Sequence, residues 1–332
     1  LGKLAAKELQ KMLDCIKKDF RVIIPPTIGY DAGVHLLNGK YVAVATDPCT
    51  GVPEEWFGWL MINYAASDVA LFGAKPEFCT VNLLGPLGTK PEVFQKIMEQ
   101  TCKAADELGV AIVRGHTGMY GSLTDILGVC TIYGTVEPKK LITPGNAKPH
   151  DMLLCVKPLG LETIINFSLT HKEKAQELFG IVKQEELVKL VCMQSCVKEA
   201  TELARIEGVH AMHDATEGGF VAALNELSQS SKVGFKLYWE KLPLTKEILI
   251  LQDHFELSDE QMLAMSSTGT ILASVSPSAQ RKVEAALERF GHCAYFLGKF
   301  TEKLDRIIIR EGKETRFPVE AQDPYTTILS SK

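Results

Sequence analysis

The chain has 332 residues, 46% hydrophobic and 23% charged, with a formal net charge of −5 at pH 7. That length supports one large domain or two ordinary ones with an ample core. The acidic balance excludes the basic surface of a nucleic-acid binder, and no apolar run reaches the ~18 residues that span a bilayer. The N-terminal pattern, with Lys and Glu throughout, is not a secretory signal. A cytoplasmic protein with no membrane and no nucleic-acid partner is expected.

Residues 2–18 have the spacing of an amphipathic helix. The segment 20–26 then runs extended into Gly29-Tyr30-Asp31-Ala32-Gly33, and Asn38-Gly39 signals a hairpin turn before a strand over 41–47 that ends in Asp47. Residues 55–74 read as a largely buried helix in which Asn63, Ser67 and Asp68 are the polar exceptions. An unpaired buried polar group costs about 1–3 kcal/mol, so these need partners. Asn63 and Asp68, roughly 140° apart around the axis, share a broad rim suited to a cleft. A strand over 78–84, a helix over 91–108, a strand over 110–113 running into a loop Arg114-Gly115-His116-Thr117-Gly118, and a strand over 126–136 complete the first half. Three prolines, three lysines and Gly145-Asn146 make 137–149 the linker candidate, dividing the chain into domains 1–140 and 149–332.

The second half opens with a strand from 150 into a turn at Gly160, followed by a long helical region over about 184–207. Then comes His213-Asp214-Ala215-Thr216-Glu217-Gly218-Gly219, preceded by apolar Val209, Ala211 and Met212 and followed by helical spacing from Phe220 to Leu227. Acid and hydroxyl groups therefore stand at a strand end, and two glycines lead into a helix N-terminus. Free N–H groups and the helix dipole favour an anion there, and glycine lets a phosphate approach the backbone. Strands over 235–239, 270–275 and 294–299, helices over 245–256 and 277–290, and a closing hairpin around 307–313 follow. Neither a P-loop nor a dinucleotide-binding glycine motif occurs. The nine cysteines are odd in number and irregularly spaced, which is no disulfide framework. Cys192 and Cys196, four apart on the expected helix, face one way, although core filling is the simpler role for such thiols.

Asp31, Asp47, Asn63 with Asp68, and His213-Asp214 each stand at or beside a strand end. If these segments converge, several carboxylates share one cleft. Two unit charges 4 Å apart at an effective dielectric near 20 repel by roughly 4 kcal/mol, so such a cluster calls for a cation. Oxygen-only ligands select Mg²⁺ or a similar hard ion, which in turn recruits phosphates. A metal–nucleotide site without a P-loop is the expectation. Lys75 and Lys157 are weaker candidates for phosphate contact.

Taken together, these motifs resemble the aminoimidazole ribonucleotide synthetase (PurM-like) superfamily, nearest to the hydrogenase-maturation protein HypE and AIR synthase-related proteins. Gly29-Tyr30-Asp31-Ala32 is similar to the family's G-D/E-D-A, Thr46-Asp47 to its T-D, Asn63 through Asp68 to Pro76 to its N-x-x-x-S/N-D-x-x-x-M-G-A-x-P, and His213 through Gly219 to its H-D-x-T-x-G-G. Ser267-Thr268-Gly269-Thr270 stands where relatives carry S-S-G-T. The resemblance covers nearly the whole chain. It implies a mixed α+β, two-domain PurM-like fold: an N-terminal domain pairing in a dimeric barrel-like sheet, hence a homodimer, and a C-terminal α/β domain. It implies ATP and Mg²⁺ as cofactors, with Asp31, Asp47, Asp68 and Asp214 as metal ligands and Asn63, Thr46, Thr117, His213, Thr216, Gly218 and Gly219 toward the nucleotide. Asp68, His116 and Asp214 become the catalytic candidates, acting on a carboxyl, amide or phosphate-type oxygen of a small or protein-bound substrate.

Three departures qualify that transfer. Tyr30 replaces the first acid of the G-D-D pair, and His116 replaces the Asp of G-G-D-T. HypE ends in a cysteine-bearing tail, whereas no cysteine follows Cys293 here. These departures keep open a nucleotide-binding scaffold or sensor that does no chemistry. A metal-dependent hydrolase built on His210-x-x-His213-Asp214 is disfavoured, because on a strand a three-residue offset puts the two histidines on opposite faces.

Overall fold

A computed structural model of the protein describes residue 4 and residues 6–330. After α1 (Ala6–Leu13), period-two alternation in the first half builds a six-stranded sheet from β1 (Val22–Ile24), β2 (Gly33–Leu37), β3 (Lys40–Cys49), β4 (Phe78–Pro86), β5 (Ala111–Tyr120) and β6 (Leu127–Val136). Its order is β1-β2-β3-β6-β4-β5. Only β4 and β5 pair in parallel, which requires the crossover supplied by α3 (Pro91–Leu108). Asn38 and Gly39 both take positive φ (50° and 79°), the two-residue turn that matches strand twist. The buried helix α2 (Phe57–Leu71) and α3 cover one face of this sheet. Gly58 lets them touch: a Cβ there would stand 2.2 Å from the Ile97 carbonyl oxygen.

The second half forms a seven-stranded sheet of β7 (Met152–Val156), β8 (Val209–Ala215), β9 (Gly234–Tyr238), β10 (Ser267–Val275), β11 (Ala294–Thr301), β12 (Arg306–Arg310) and β13 (Lys313–Arg316), in the order β13-β12-β9-β11-β7-β10-β8. All its neighbours are antiparallel except β9 and β12. The helices between and after these strands are α4 (Leu161–Thr170), α5 (Lys172–Phe179), α6 (Ile181–Val188), α7 (Val197–Leu203), α8 (Gly219–Ser231), α9 (Lys246–His254), α10 (Asp259–Leu263), α11 (Gln280–Glu288) and α12 (Tyr325–Ser330). Phe220 of α8, Phe235 of β9 and Phe300 of β11 are fully buried in one core with Phe167 of α4.

The chain folds as two compact units. One holds 17–26 and 31–141; the other holds the N-terminal stretch through Ile16, Thr27–Tyr30, and the chain from Ile142 onward. Gly29 explains why the short segment joins the second unit: at φ +78° it lies against α8, where an added Cβ would come 3.0 Å from Glu226 Cβ.

Several expectations require correction. The helix expected over 2–18 is confined to Ala6–Leu13 within the described residues, and the chain turns at 14–16, where Asp14, Cys15 and Ile16 are exposed. The helix expected over 184–207 breaks into α6, a 3₁₀ turn (Val191–Gln194) and α7, so Cys192 is exposed in the turn while Cys196 is buried ahead of α7. The presumed loop 114–118 is the middle of β5, its backbone held by β4 rather than by its own side chains. The segment 137–149, where the two units meet in sequence at Leu141 and Ile142, is ordered by two 3₁₀ turns with Ile142, Thr143, Pro144 and Ala147 buried. A further helix, α12, follows the closing hairpin. Among the described residues, no helix is long and apolar enough to cross a membrane.

Candidate functional site

In the first unit, strand register decides which way each candidate points. Asp47 lies in the row Asp47–Cys130–Val81, on the face covered by α2. Its neighbour Thr46 projects to the opposite, open face, where its hydroxyl is 2.8 Å from that of Thr131. Asp68 sits on α2 and is buried, and Asn63, one and a half turns earlier, donates to the Trp59 carbonyl oxygen at 2.9 Å. That local bond satisfies one of the two Asn63 amide N–H donors within its own helix. Asp31 immediately precedes Ala32 and β2 and is half-buried. His116 is exposed on β5, with Nε2 2.8 Å from the Tyr120 hydroxyl, and Thr117 beside it is exposed as well.

In the second unit, β8 delivers His213 and Asp214, both almost fully buried, to the start of α8. His213 Nδ1 lies 2.8 Å from the Asp214 carbonyl oxygen and Nε2 lies 3.0 Å from Glu226 Oε2. Both ring nitrogens thus lie within hydrogen-bond reach of oxygen atoms, which holds the ring between β8 and α8. His210 points away from this cluster to Asp151, at 2.7 Å, as alternation on a strand requires. The two histidines cannot share a metal, which removes the geometric basis of the hydrolase reading.

The turn Thr216–Gly219 closes on itself, with Gly219 N donating to the Thr216 carbonyl oxygen at 2.8 Å. Gly218 and Gly219 both adopt left-handed φ, 79° and 54°, and a Cβ on Gly219 would meet the Met265 carbonyl oxygen at 2.4 Å. No side chain of the turn caps α8. Instead, Gly218 N donates to Asp323 Oδ2 at 3.0 Å, and Ser266 Oγ donates to the same oxygen at 2.6 Å. The turn therefore already holds an anionic oxygen, as its free N–H and the helix dipole favour.

Ser267, Thr268 and Thr270 hold the neighbouring β7–α4 turn. Gly160 N donates to Ser267 Oγ at 2.6 Å, Thr268 Oγ1 donates to Glu162 Oε2 at 2.5 Å, and Thr270 Oγ1 donates to the Pro158 carbonyl oxygen at 2.7 Å. Gly269 must lack a side chain, since a Cβ would stand 2.2 Å from the Met193 carbonyl oxygen.

Lys157 is not a phosphate contact. It is buried, and its Nζ is used by Glu199 at 3.0 Å and by the carbonyl oxygens of Ser195 and Met193 at 2.7 and 3.1 Å. Burial alone would raise the Glu199 carboxyl, but the His292 hydrogen bond and the Lys157 charge outweigh it and hold it at about 2. Lys75 is exposed.

Glu226, Ser266 and Asp323 were not singled out from sequence. Glu226 had a signal: it falls seven residues after Gly219, on the same helix face. Asp323 had none, because its partner Gly218 lies 105 residues away.

Two mixed sheets with their helices, a buried His-Asp strand end and a glycine turn that seats an anion define a two-domain PurM-like protein. The chain belongs to the AIR synthase related family: the N-terminal domain model matches residues 29–136 and the C-terminal domain model residues 148–310. It is similar to a selenide, water dikinase of Bdellovibrio bacteriovorus, 26% identical over 341 aligned positions that cover 93% of this chain and 95% of the relative. It is also similar to a putative hydrogenase expression/formation protein of Methanocaldococcus jannaschii, 24% identical over 254 residues, 76% of this chain and 72% of the relative. Among solved structures, the hydrogenase maturation protein HypE in complex with ATP aligns with a TM-score of 0.73 at 19% identity, over 89% of each chain.

Proposed function

We propose that the protein is an ATP- and Mg²⁺-dependent enzyme that phosphorylates, or activates as a phosphate, an oxygen of a small or protein-bound substrate. The observation that carries this reading is the glycine turn at α8, which seats a carboxylate oxygen on Gly218 N–H and the Ser266 hydroxyl. Donors that hold one anionic oxygen suit a phosphate oxygen equally well. The family supports it, with relatives named as selenide, water dikinases and a fold neighbour bound to ATP.

The donor set fits a hard cation. Asp31, Asp47, Asp68 and Asp214 are proposed as its ligands; all offer oxygen, and Asp68 and Asp214 are buried, where a divalent ion offsets the cost of a buried charge. When bound, the ion would neutralise phosphate charge. Asn63, Thr46, Thr117, His213, Thr216, Gly218 and Gly219 are proposed to line the nucleotide, and Asp68, His116 and Asp214 to serve the chemistry.

Calorimetric titration with Mg-ATP tests this. Wild type is expected to bind and Asp68→Asn to bind at least tenfold more weakly, a loss of about 1.4 kcal/mol. Absence of heat with wild type would remove the reading. Binding without any substrate-dependent ADP or AMP formation across a metabolite screen would favour a sensor instead.

The protein is further proposed to work as a homodimer. The rows Val44–Tyr133–Phe78 and Thr46–Thr131–Thr80 form the sheet face opposite α2 and α3. Phe78 there is 43% exposed. A second copy of the same sheet would cover such a face.

A further inference from the structure

We propose that the C-terminal segment, residues 317–330, is a displaceable strap, whose Asp323 carboxylate fills the anion seat of the glycine turn until a phosphate-bearing ligand takes that seat. The proposal rests on the reading of that turn as a phosphate cradle, and it assigns the turn a built-in competitor.

Three features set the strap apart from an ordinary helix cap. A cap comes from the residues just before its helix, but the 13-residue α8 has no such cap. Its N-terminus is served by a carboxylate 105 residues away in sequence. Charge and geometry also match a phosphate edge: one anionic oxygen receives a backbone N–H and a hydroxyl, while Asp323 Oδ1 accepts from Tyr325 N at 2.9 Å.

The attachment of the segment is uneven. Upstream, Phe317 is buried edge-on against Phe220 and Phe235, with centroids 5.7 and 5.2 Å away, and Asn225 Nδ2 donates to the carbonyl oxygens of Pro318 and Val319. That end is fixed in the core. Val319, Glu320 and Gln322 are exposed, while Ala321 packs against the core and Pro324 is buried, so the span leading to Asp323 is held at single points between exposed residues. Downstream, the six-residue α12 is held by buried Ile328, by Asn166 Nδ2 donating to the Tyr325 hydroxyl at 2.9 Å, and by His171 Nε2 at 2.9 Å from the Leu329 carbonyl oxygen. A helix this short has little stability of its own.

The surface beneath α12 is also incompletely satisfied. Asn166 Oδ1 accepts from Gln194 Nε2 at 2.9 Å, while Gln194 Oε1 is buried with no hydrogen-bond partner among the described residues.

If the strap is closed more than nine-tenths of the time, it weakens apparent ligand affinity by about tenfold. The test uses the full chain as wild type, Asp323→Asn and Asp323→Ala. The probes are a non-hydrolysable ATP analogue with Mg²⁺ and, separately, magnesium pyrophosphate. Hydrogen exchange is followed on the peptide 318–330. The expected results are faster exchange of that peptide at saturating probe, fast exchange without probe in both variants, and probe affinity raised about tenfold in them. The near-isosteric Asn variant guards against a folding defect in the Ala variant. Nucleotide binding by wild type with unchanged or slower exchange of the segment, or variants that bind no more tightly, overturns the strap and leaves the nucleotide reading standing. If neither wild type nor variants bind either probe, both are wrong.

Discussion

The buried triad Lys157–Glu199–His292 offers a measurement that tests the electrostatics of the second unit directly. Glu199 joins α7 to the end of β7 through Lys157 at 3.0 Å and to His292 at 2.7 Å. Its carboxyl, ordinarily near 4.5, is held at about 2. A shift of that size corresponds to about 3 kcal/mol favouring the ionised carboxylate in the folded state. Because the folded value is depressed, the stabilisation is present above pH 4.5 and is lost as pH falls toward 2. Glu199→Gln keeps the shape but leaves the Lys157 charge buried with only two carbonyl oxygens. At pH 7 the variant is expected to lose about 3 kcal/mol, in line with breaking a buried ion pair. The gap to wild type should narrow as pH drops below 4.5. Urea unfolding followed by circular dichroism at pH 7, 5, 4 and 3 measures both effects. A variant within 1 kcal/mol of wild type at pH 7, or a gap that does not change with pH, refutes the assignment.

Gly219→Ala places a Cβ 2.4 Å from the Met265 carbonyl oxygen at a left-handed φ, so the turn must shift; a loss of about 2–4 kcal/mol is expected by thermal unfolding, with nucleotide binding weakened at temperatures where the variant stays folded. If the proposed pairing of sheets holds, wild type is expected to sediment as a dimer in analytical ultracentrifugation and Thr131→Arg, which puts a charge in the centre of the open sheet face, as a monomer. A wild-type monomer at micromolar concentration would count against the pairing of sheets.

Much of the fold was legible because its signals are local. Asn38-Gly39 specified its hairpin through positive φ, and the apolar spacing of 57–71 specified α2. His213-Asp214 at a strand end, with Gly218-Gly219 opening a helix, followed from period-two spacing giving way to helical spacing. The helix expected over 184–207 failed because spacing cannot register that Lys157 draws in the carbonyl oxygens of Met193 and Ser195. The strand expected to end at Val113 runs on through His116 because β4 supplies the ladder that keeps Gly115 and Gly118 extended.

By itself, the amino-acid sequence determined what can be decided between near neighbours along the chain: turn chemistry, helix and strand periods, and the family motifs. Only the tertiary structure decided which side chain occupies which partner. It turned Lys157 from a phosphate candidate into the anchor of Glu199, sent Thr46 and Asp47 to opposite faces of one sheet, and seated Asp323 on Gly218. Those pairings depend on segments tens to over a hundred residues apart, and the free energy that selects among them arises from burial and hydrogen bonding that no local window contains.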